Sequence, residues 1–330
     1  MMVAHALSAI RHHVRWPMWR RAIGILFIAA VLALIARKLG TIDWDAVLAA
    51  LRGFDRRTLL PAAGFAVLTG LLYSQFDVLG CRYAGHPLPA HRVMAIAYVS
   101  YTMSLNLGAT LGGAGVRYRL YSHAGLSPPQ IWSVFAVAVT SNWLGYALLA
   151  GIILAGRLVA LPPEWSIPPA AMRLIGVAML AAPAGYLAAC AAWQGRHRTV
   201  RGHDIYVPSP RFALLQILVS AGNWAAVAAI LHAFLHAHAD YYTVLGVYLA
   251  SGLAGVVIRV PGALGVVETV FLTMLGGQVP HGLLLAALIA YRALYYLIPL
   301  AVGTVGYFLL EARGKKLAQG TALEGKQRRP

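Results

Sequence analysis

The sequence predicts an all-α polytopic membrane protein, and three observations carry that prediction. Sixty per cent of the 330 residues are hydrophobic, 11% are charged, and mean hydropathy is +0.69, where soluble domains carry about 25% charged residues. Several apolar windows reach the ~20 residues that a helix needs to cross a bilayer. The cations collect in short segments between those windows, as in cytoplasmic loops. The expected architecture is about six full transmembrane helices plus two glycine- and proline-broken re-entrant hairpins, a pattern compatible with an inverted repeat.

The N-terminal segment, residues 1–21, is basic through Arg11, Arg15, Arg20 and Arg21. The apolar stretch Ala22–Lys38 follows, ends in Arg37-Lys38 and has no small-residue cleavage site, so it reads as a retained first span rather than a signal peptide. In residues 41–57, Trp44, Val47, Leu48, Leu51 and Phe54 fall at helical spacing with charges elsewhere. That is the pattern of an amphipathic helix lying at the interface, here on the outer side. Leu59–Gly80, Ile131–Ala155, Met172–Trp193, Phe212–His236 and His281–Leu310 complete the crossings. One transmembrane domain, 22–310, thus lies between a basic N-terminus and a basic tail, 311–330. Both ends belong inside, as do the Arg82–Arg92 and Arg196–Arg211 connections, which requires an even number of crossings.

Two apolar stretches fit that parity badly as simple spans. Residues 93–125 carry Gly108, Gly112, Gly113 and Gly115, followed by Arg117 and Arg119; residues 241–277 carry Pro261, Gly262 and Gly265 with Arg259 and Glu268. Read as hairpins that enter from opposite faces, they restore every basic loop to the inside except the near-balanced 41–57 segment. Transporters bind substrate near the midplane between such broken segments. The alternative is that both are ordinary spans whose glycines serve close helix packing.

The residues most suited to chemistry lie in those stretches. Glycines let the backbone approach a ligand, and arginine presents a planar fork that matches phosphate oxygens. Arg117 and Arg119 therefore suit a phospholipid headgroup, or else they are loop arginines obeying the inside rule. An isolated ion at the bilayer centre costs about 2.5–3.5 kcal/mol on insertion scales, so Arg259 and Glu268 need a partner or a cavity. Glu268 either faces an ammonium group or coupling proton, or it braces the hairpin by pairing with Arg259 or Arg292. Asp77, an acid near the cytoplasmic end of its span, is either a functional group or a cross-helix hydrogen-bonding one. Arg292 lies beside Tyr291, Tyr295 and Tyr296, an aromatic polar face. Asn142 and Asn223 are read as cross-helix hydrogen-bonding groups.

Other function classes recede. The net charge of +17 is spread over loops between spans, which fits anionic lipid headgroups rather than nucleic acid. His232, His236 and His238 lack the glutamate of a zinc-protease helix and sit at a span end. Cys81 and Cys190 both fall on the side assigned to the cytoplasm, where a disulfide is not expected. There is no nucleotide-binding loop, serine elbow or aspartate pair, so no enzyme, metal or cofactor is expected.

The stretches 112–126, Gly-Gly-Ala-Gly-Val-Arg-Tyr-Arg-Leu-Tyr-Ser-His-Ala-Gly-Leu, and 261–268, Pro-Gly-Ala-Leu-Gly-Val-Val-Glu, resemble the two hallmark segments of the lysylphosphatidylglycerol synthase transmembrane-region family. The likeness extends over nearly the whole chain in length and span pattern. Ala263 stands where that family frequently has glycine. The resemblance implies the membrane half of the family: movement or binding of a polar lipid, anionic or zwitterionic, in a bacterial inner membrane. The headgroup would enter between the hairpins, its phosphate met by Arg117, Arg119 or Arg259 and any amine by Glu268. Synthase activity is not implied, because the chain ends about twenty residues beyond its last span, and a lipid-modifying enzyme would be a separate partner. A second copy of the chain is a further partner compatible with the sequence. The alternative of another class is a non-transporting scaffold or accessory protein of cell-envelope lipid metabolism.

Overall fold

The computed structural model describes residues 44–159, 168–194, 197–200, 203–258 and 261–327, together with Ala33. The expected span Ala22–Lys38 therefore lies outside the described residues, apart from Ala33. Helix α1 covers Trp44–Arg52, inside the stretch expected to be amphipathic. Helix α2, Arg56–Tyr83, starts at Asp55, whose Oδ1 accepts the Arg56 N–H at 2.6 Å and so satisfies one open donor of the first turn. Helix α3, Ala90–Leu107, runs into a π-helical turn, Ala109–Gly115, and then α4, Val116–His123.

Helix α5, Pro128–Ala155, has proline at its first position, where no N–H is needed, and Gln130 accepts from the Ser127 N–H at 3.0 Å. Helix α6 spans Pro169–Ala192 and α7 spans Pro210–Leu235, the latter capped by Ser209 accepting from the Phe212 N–H. Helix α8, Tyr241–Ile258, and α9, Val266–Leu275, flank the second break. Helix α10, His281–Arg292, passes through a second π turn, Ala293–Leu297, into α11, Ile298–Gln327.

Among the described residues, six helices are long and apolar enough to cross a membrane: α2, α5, α6, α7, α8 and the continuous 281–312 run. Five of them coincide with expected crossings. The sixth, α8, was expected as one arm of a re-entrant hairpin. At 18 residues it measures ~27 Å, close to the ~30 Å hydrocarbon core. The second broken segment thus pairs a helix of crossing length with a short one of 10 residues. The protein is an all-α membrane protein, with one small exception among the described residues. His197–Val200 pairs antiparallel with His203–Tyr206, with His197 opposite Tyr206 and Val200 opposite His203.

Lipid tails are as apolar as leucine, so helix association rests on close packing and interhelical hydrogen bonds. Helix α2 packs on α7, and α5 lies against α6, α7 and α2. Gln216 donates to Ser141 Oγ at 3.0 Å, while Ser220 and Trp224 both donate to the Asn142 carbonyl. The asparagine's backbone, not its amide, makes that cross-helix link. The main buried cluster, with Phe234, Leu235, Tyr248, Phe271, Leu288 and Tyr291, joins α7 and α8 to α9 and α10.

Candidate functional site: two broken helices joined by paired charges and tyrosines

Both breaks arise where the sequence places glycine. Gly108 has φ 89°, which ends α3 and folds the π turn back along it. A side chain at Gly112 would overlap the Met103 carbonyl, so only glycine permits that return. In the second segment Gly262 (φ 68°), Ala263 (φ 45°) and Gly265 (φ 79°) all take left-handed backbone. Ala263, the alanine that departs from the family's usual glycine, carries the strain that a Cβ meets there.

Each described arginine of the candidate set is held by an acid. Arg117 Nε donates to Asp77 Oδ2 at 3.1 Å, with side chains 4% and 0% exposed. Tyr121 donates to the same oxygen at 2.8 Å, and the guanidinium lies over the Phe135 ring. Arg117 is therefore an interior side chain that clamps α4 to α2, not a solvated loop arginine. Arg119 grips Glu311 on α11 with two bonds, Nη2 to Oε1 at 2.6 Å and Nε to Oε2 at 3.1 Å, and His123 stands 3.6 Å from Oε2. Glu311 was not singled out from the sequence. Its position just past an apolar span, before Arg313 and Lys315, makes it look like one more tail charge.

Glu268 and Arg292 form the third pair. Arg292 Nε bonds Glu268 Oε1, and its Nη2 donates to Oε2 at 2.7 Å. The same guanidinium donates to the carbonyls of Gly262 at 3.2 Å and Ala263 at 3.1 Å. Glu268 Oε2 in turn accepts the Gly265 N–H, capping α9. One arginine thus satisfies the carbonyls that the break leaves open, and one carboxylate satisfies the N–H of the residue that caps the helix beyond it. Of the two partners considered for Glu268, the geometry supplies Arg292. Arg259 lies outside the described residues.

A layer of tyrosines lies among these pairs. Tyr73 stacks on Tyr101 at 3.7 Å, and the Tyr101 hydroxyl bonds that of Tyr295. Tyr295 stacks on Tyr291 at 5.3 Å and meets Tyr296 edge-on at 5.1 Å, and Tyr296 carries the Arg292 guanidinium over its ring. The π turn at 293–297 is what presents Arg292, Tyr295 and Tyr296 inward together, since one extra residue per turn rotates the helix face. Asn106 ties α3 to the same turn by donating to the Tyr296 carbonyl at 3.2 Å. Tyr73, Tyr101 and Tyr248 were not legible as site residues. Each looks like an ordinary aromatic of an apolar span.

A cavity of about 730 Å³ opens where the first break meets the second, within the size range of small-molecule sites. Ser104, Thr110, Ser251, Tyr248 and Tyr296 supply hydroxyl-bearing side chains to its wall, and Gly108 and Gly262 supply backbone. None of Asp77, Arg117, Arg119, Glu268 or Arg292 is among the lining residues. Arg292 acts one layer behind, holding the Gly262 and Ala263 carbonyls and lying over Tyr296.

A family model described as the lysylphosphatidylglycerol synthase TM region matches residues 21–303, which takes in both breaks. Inner membrane protein YbhN of Escherichia coli (strain K12) is 40% identical over 308 residues, covering 93% of this chain and 97% of that protein. An uncharacterized protein of Synechocystis is 31% identical over 282 residues, 84% of this chain and 87% of its own length. Phosphatidylglycerol lysyltransferase of Staphylococcus haemolyticus is 24% identical over 289 residues, 85% of this chain but only 32% of that enzyme.

Proposed function

The chain belongs to the lysylphosphatidylglycerol synthase transmembrane-region family, and from that premise we propose that it binds a phospholipid headgroup in the cavity between its two breaks and moves the lipid between leaflets. The observation that carries this reading is the cavity itself, bounded by irregular backbone from both segments. Non-helical backbone is tolerated at membrane depth where it is buried in protein or lines a water-filled space. The headgroup would meet hydroxyls and backbone first, with the three ion pairs holding the walls rather than gripping the phosphate. The acyl chains stay in lipid, and no bond is made or broken. The location proposed is a bacterial inner membrane, in keeping with the Escherichia coli relative, which is named an inner membrane protein; the basic end segments place both termini on the cytoplasmic side.

Reconstituted vesicles carrying fluorescent phosphatidylglycerol in one leaflet test this. Wild type equilibrates the label across leaflets. Gly255→Leu, which fills the cavity from α8, stays folded and loses most of that movement. Equal rates in protein-free and wild-type vesicles would remove the transport reading and leave the accessory one. One observation favours that second reading: Asp77, Glu268 and Glu311 are all already ion-paired.

The proposed orientation has its own test. Single cysteines near Gly115 and Arg201 should be labelled by an impermeant thiol reagent from the cytoplasmic side, and one near Gly277 from the outer side. Labelling near Gly115 from outside would replace the re-entrant arrangement of the first segment with plain crossings.

A further inference from the structure

Away from that cavity, a lateral groove of about 640 Å³ runs between α2 and α7. Its α7 wall is Gly222, Ala225, Ala229 and Ala233, residues three and four apart on one face, ending at His232 and His236. Its α2 wall runs antiparallel, from Arg57 through Pro61 and Phe65 to Leu68. The groove has a direction. At the Arg57 end it is polar and cationic, and at the Gly222 end it is small and apolar. From His236 to Gly222 is fourteen residues, ~21 Å of helix. That length matches one leaflet: about half of the ~30 Å hydrocarbon core plus one headgroup layer of ~6 Å.

The charges at the open end also point one way. Arg57 has no acidic partner within ion-pairing distance among the described residues. The two nearby acids serve helix starts: Asp55 accepts the Arg56 N–H, and Asp240 accepts the N–H groups of Tyr242 and Thr243 and the Thr243 hydroxyl. Their charge is met by the positive end of the helix each one caps. Tyr241, donating to the Ala225 carbonyl at 2.9 Å, roofs the groove edge-on to His232.

We propose that this groove is a binding site for one anionic phospholipid of the leaflet on the Arg57 side, with its phosphate at Arg57 and His232 and an acyl chain along the alanine face. The site is separate from the cavity between the breaks, and its occupancy is independent of whether the protein moves lipid. The bound lipid would fill the seam between α2 and α7.

The test is to reconstitute full-length protein in phosphatidylcholine nanodiscs containing a minority of phosphatidylglycerol, extract it gently, and count retained lipids by native mass spectrometry. Wild type should retain phosphatidylglycerol over phosphatidylcholine. Arg57→Gln should weaken that preference about fivefold, the factor given by about 1 kcal/mol per cation near an anionic lipid surface. Ala229→Phe, which blocks the acyl path and leaves the charges alone, should release the lipid. Both side chains are outside the buried core, so neither change should prevent folding. Unchanged retention in both variants overturns the proposal. So does a wild-type dimer that Ala229→Phe splits while retained lipid stays the same, because the groove is then a seam between copies of the chain.

Discussion

Asp77→Asn should lower the stability of the detergent-solubilised protein by roughly 3–5 kcal/mol, the cost of breaking a buried ion pair from one side. The substitution isolates charge from shape. Arg117 and Tyr121 both donate to Oδ2, and Oδ1 has no hydrogen-bond partner among the described residues. An asparagine that places its oxygen at Oδ2 keeps both acceptor contacts and loses only the negative charge. Arg117 is then left 4% exposed with nothing to balance it. Since natural domains are stable by about 5–15 kcal/mol in total, folded yield should fall visibly. Tyr121→Phe provides the scale for one bond alone, about 1.5–3 kcal/mol for a hydrogen bond to a charged group. Pairing Asp77→Asn with Arg117→Met should recover much of the loss, since it removes the uncompensated buried charge that Asp77→Asn alone leaves behind. Thermal unfolding of the three variants is the measurement. An unchanged midpoint for Asp77→Asn would mean that the pair does not anchor α4 to α2.

The same pair marks the boundary of what was legible in the sequence. Apolar runs identified α2, α5, α6, α7 and the final helix, because a bilayer demands a contiguous stretch and tolerates few interruptions. Glycine and proline identified both breaks, because φ values such as those of Gly108 and Gly265 are strained for other residues. Partners were another matter. Arg117 and Asp77 are 40 residues apart, Arg119 and Glu311 are 192, and Tyr101 and Tyr295 are 194. Nothing local to either member of such a pair encodes the other. Arginines beside glycines therefore looked open to a phosphate, and nothing local to them showed the carboxylate that each one holds. Helix α8 is a different case. Its apolar face is continuous, so its pattern cannot tell an arm of a hairpin from a crossing, and its uninterrupted 18 residues are long enough for either. The paired strands at 197–200 and 203–206 were hidden by their polarity, since short stretches rich in His, Arg and Asp also describe a cytoplasmic loop.

Glu268→Gln should cost roughly 3 kcal/mol, the low end of the buried-pair range, because Glu268 and Arg292 are 23% and 16% exposed and solvent screens part of the loss. Arg292→Gln should cost at least as much by another route. It removes the donors to the Gly262 and Ala263 carbonyls as well as the countercharge, leaving partly buried acceptors open at the break. The two single variants therefore fail differently, and the double variant distinguishes brace from function. With Glu268→Gln and Arg292→Gln together the charges are gone in balance, so folding should return in part while the carbonyls remain without their fork. If lipid movement returns with folding, the pair serves only to hold the break, and neither side chain has a direct role in transport. If folding returns and movement does not, the ordered break is itself required. The cavity wall at Gly262 must then be held in its left-handed turn for a headgroup to pass. Arg292→Lys sharpens the result. It keeps the charge beside Glu268 but lacks the planar fork that reaches two carbonyls and a carboxylate at once. A lysine variant with near-wild-type melting and slowed lipid movement would place the functional requirement on the geometry of residues 261–265 rather than on the charge.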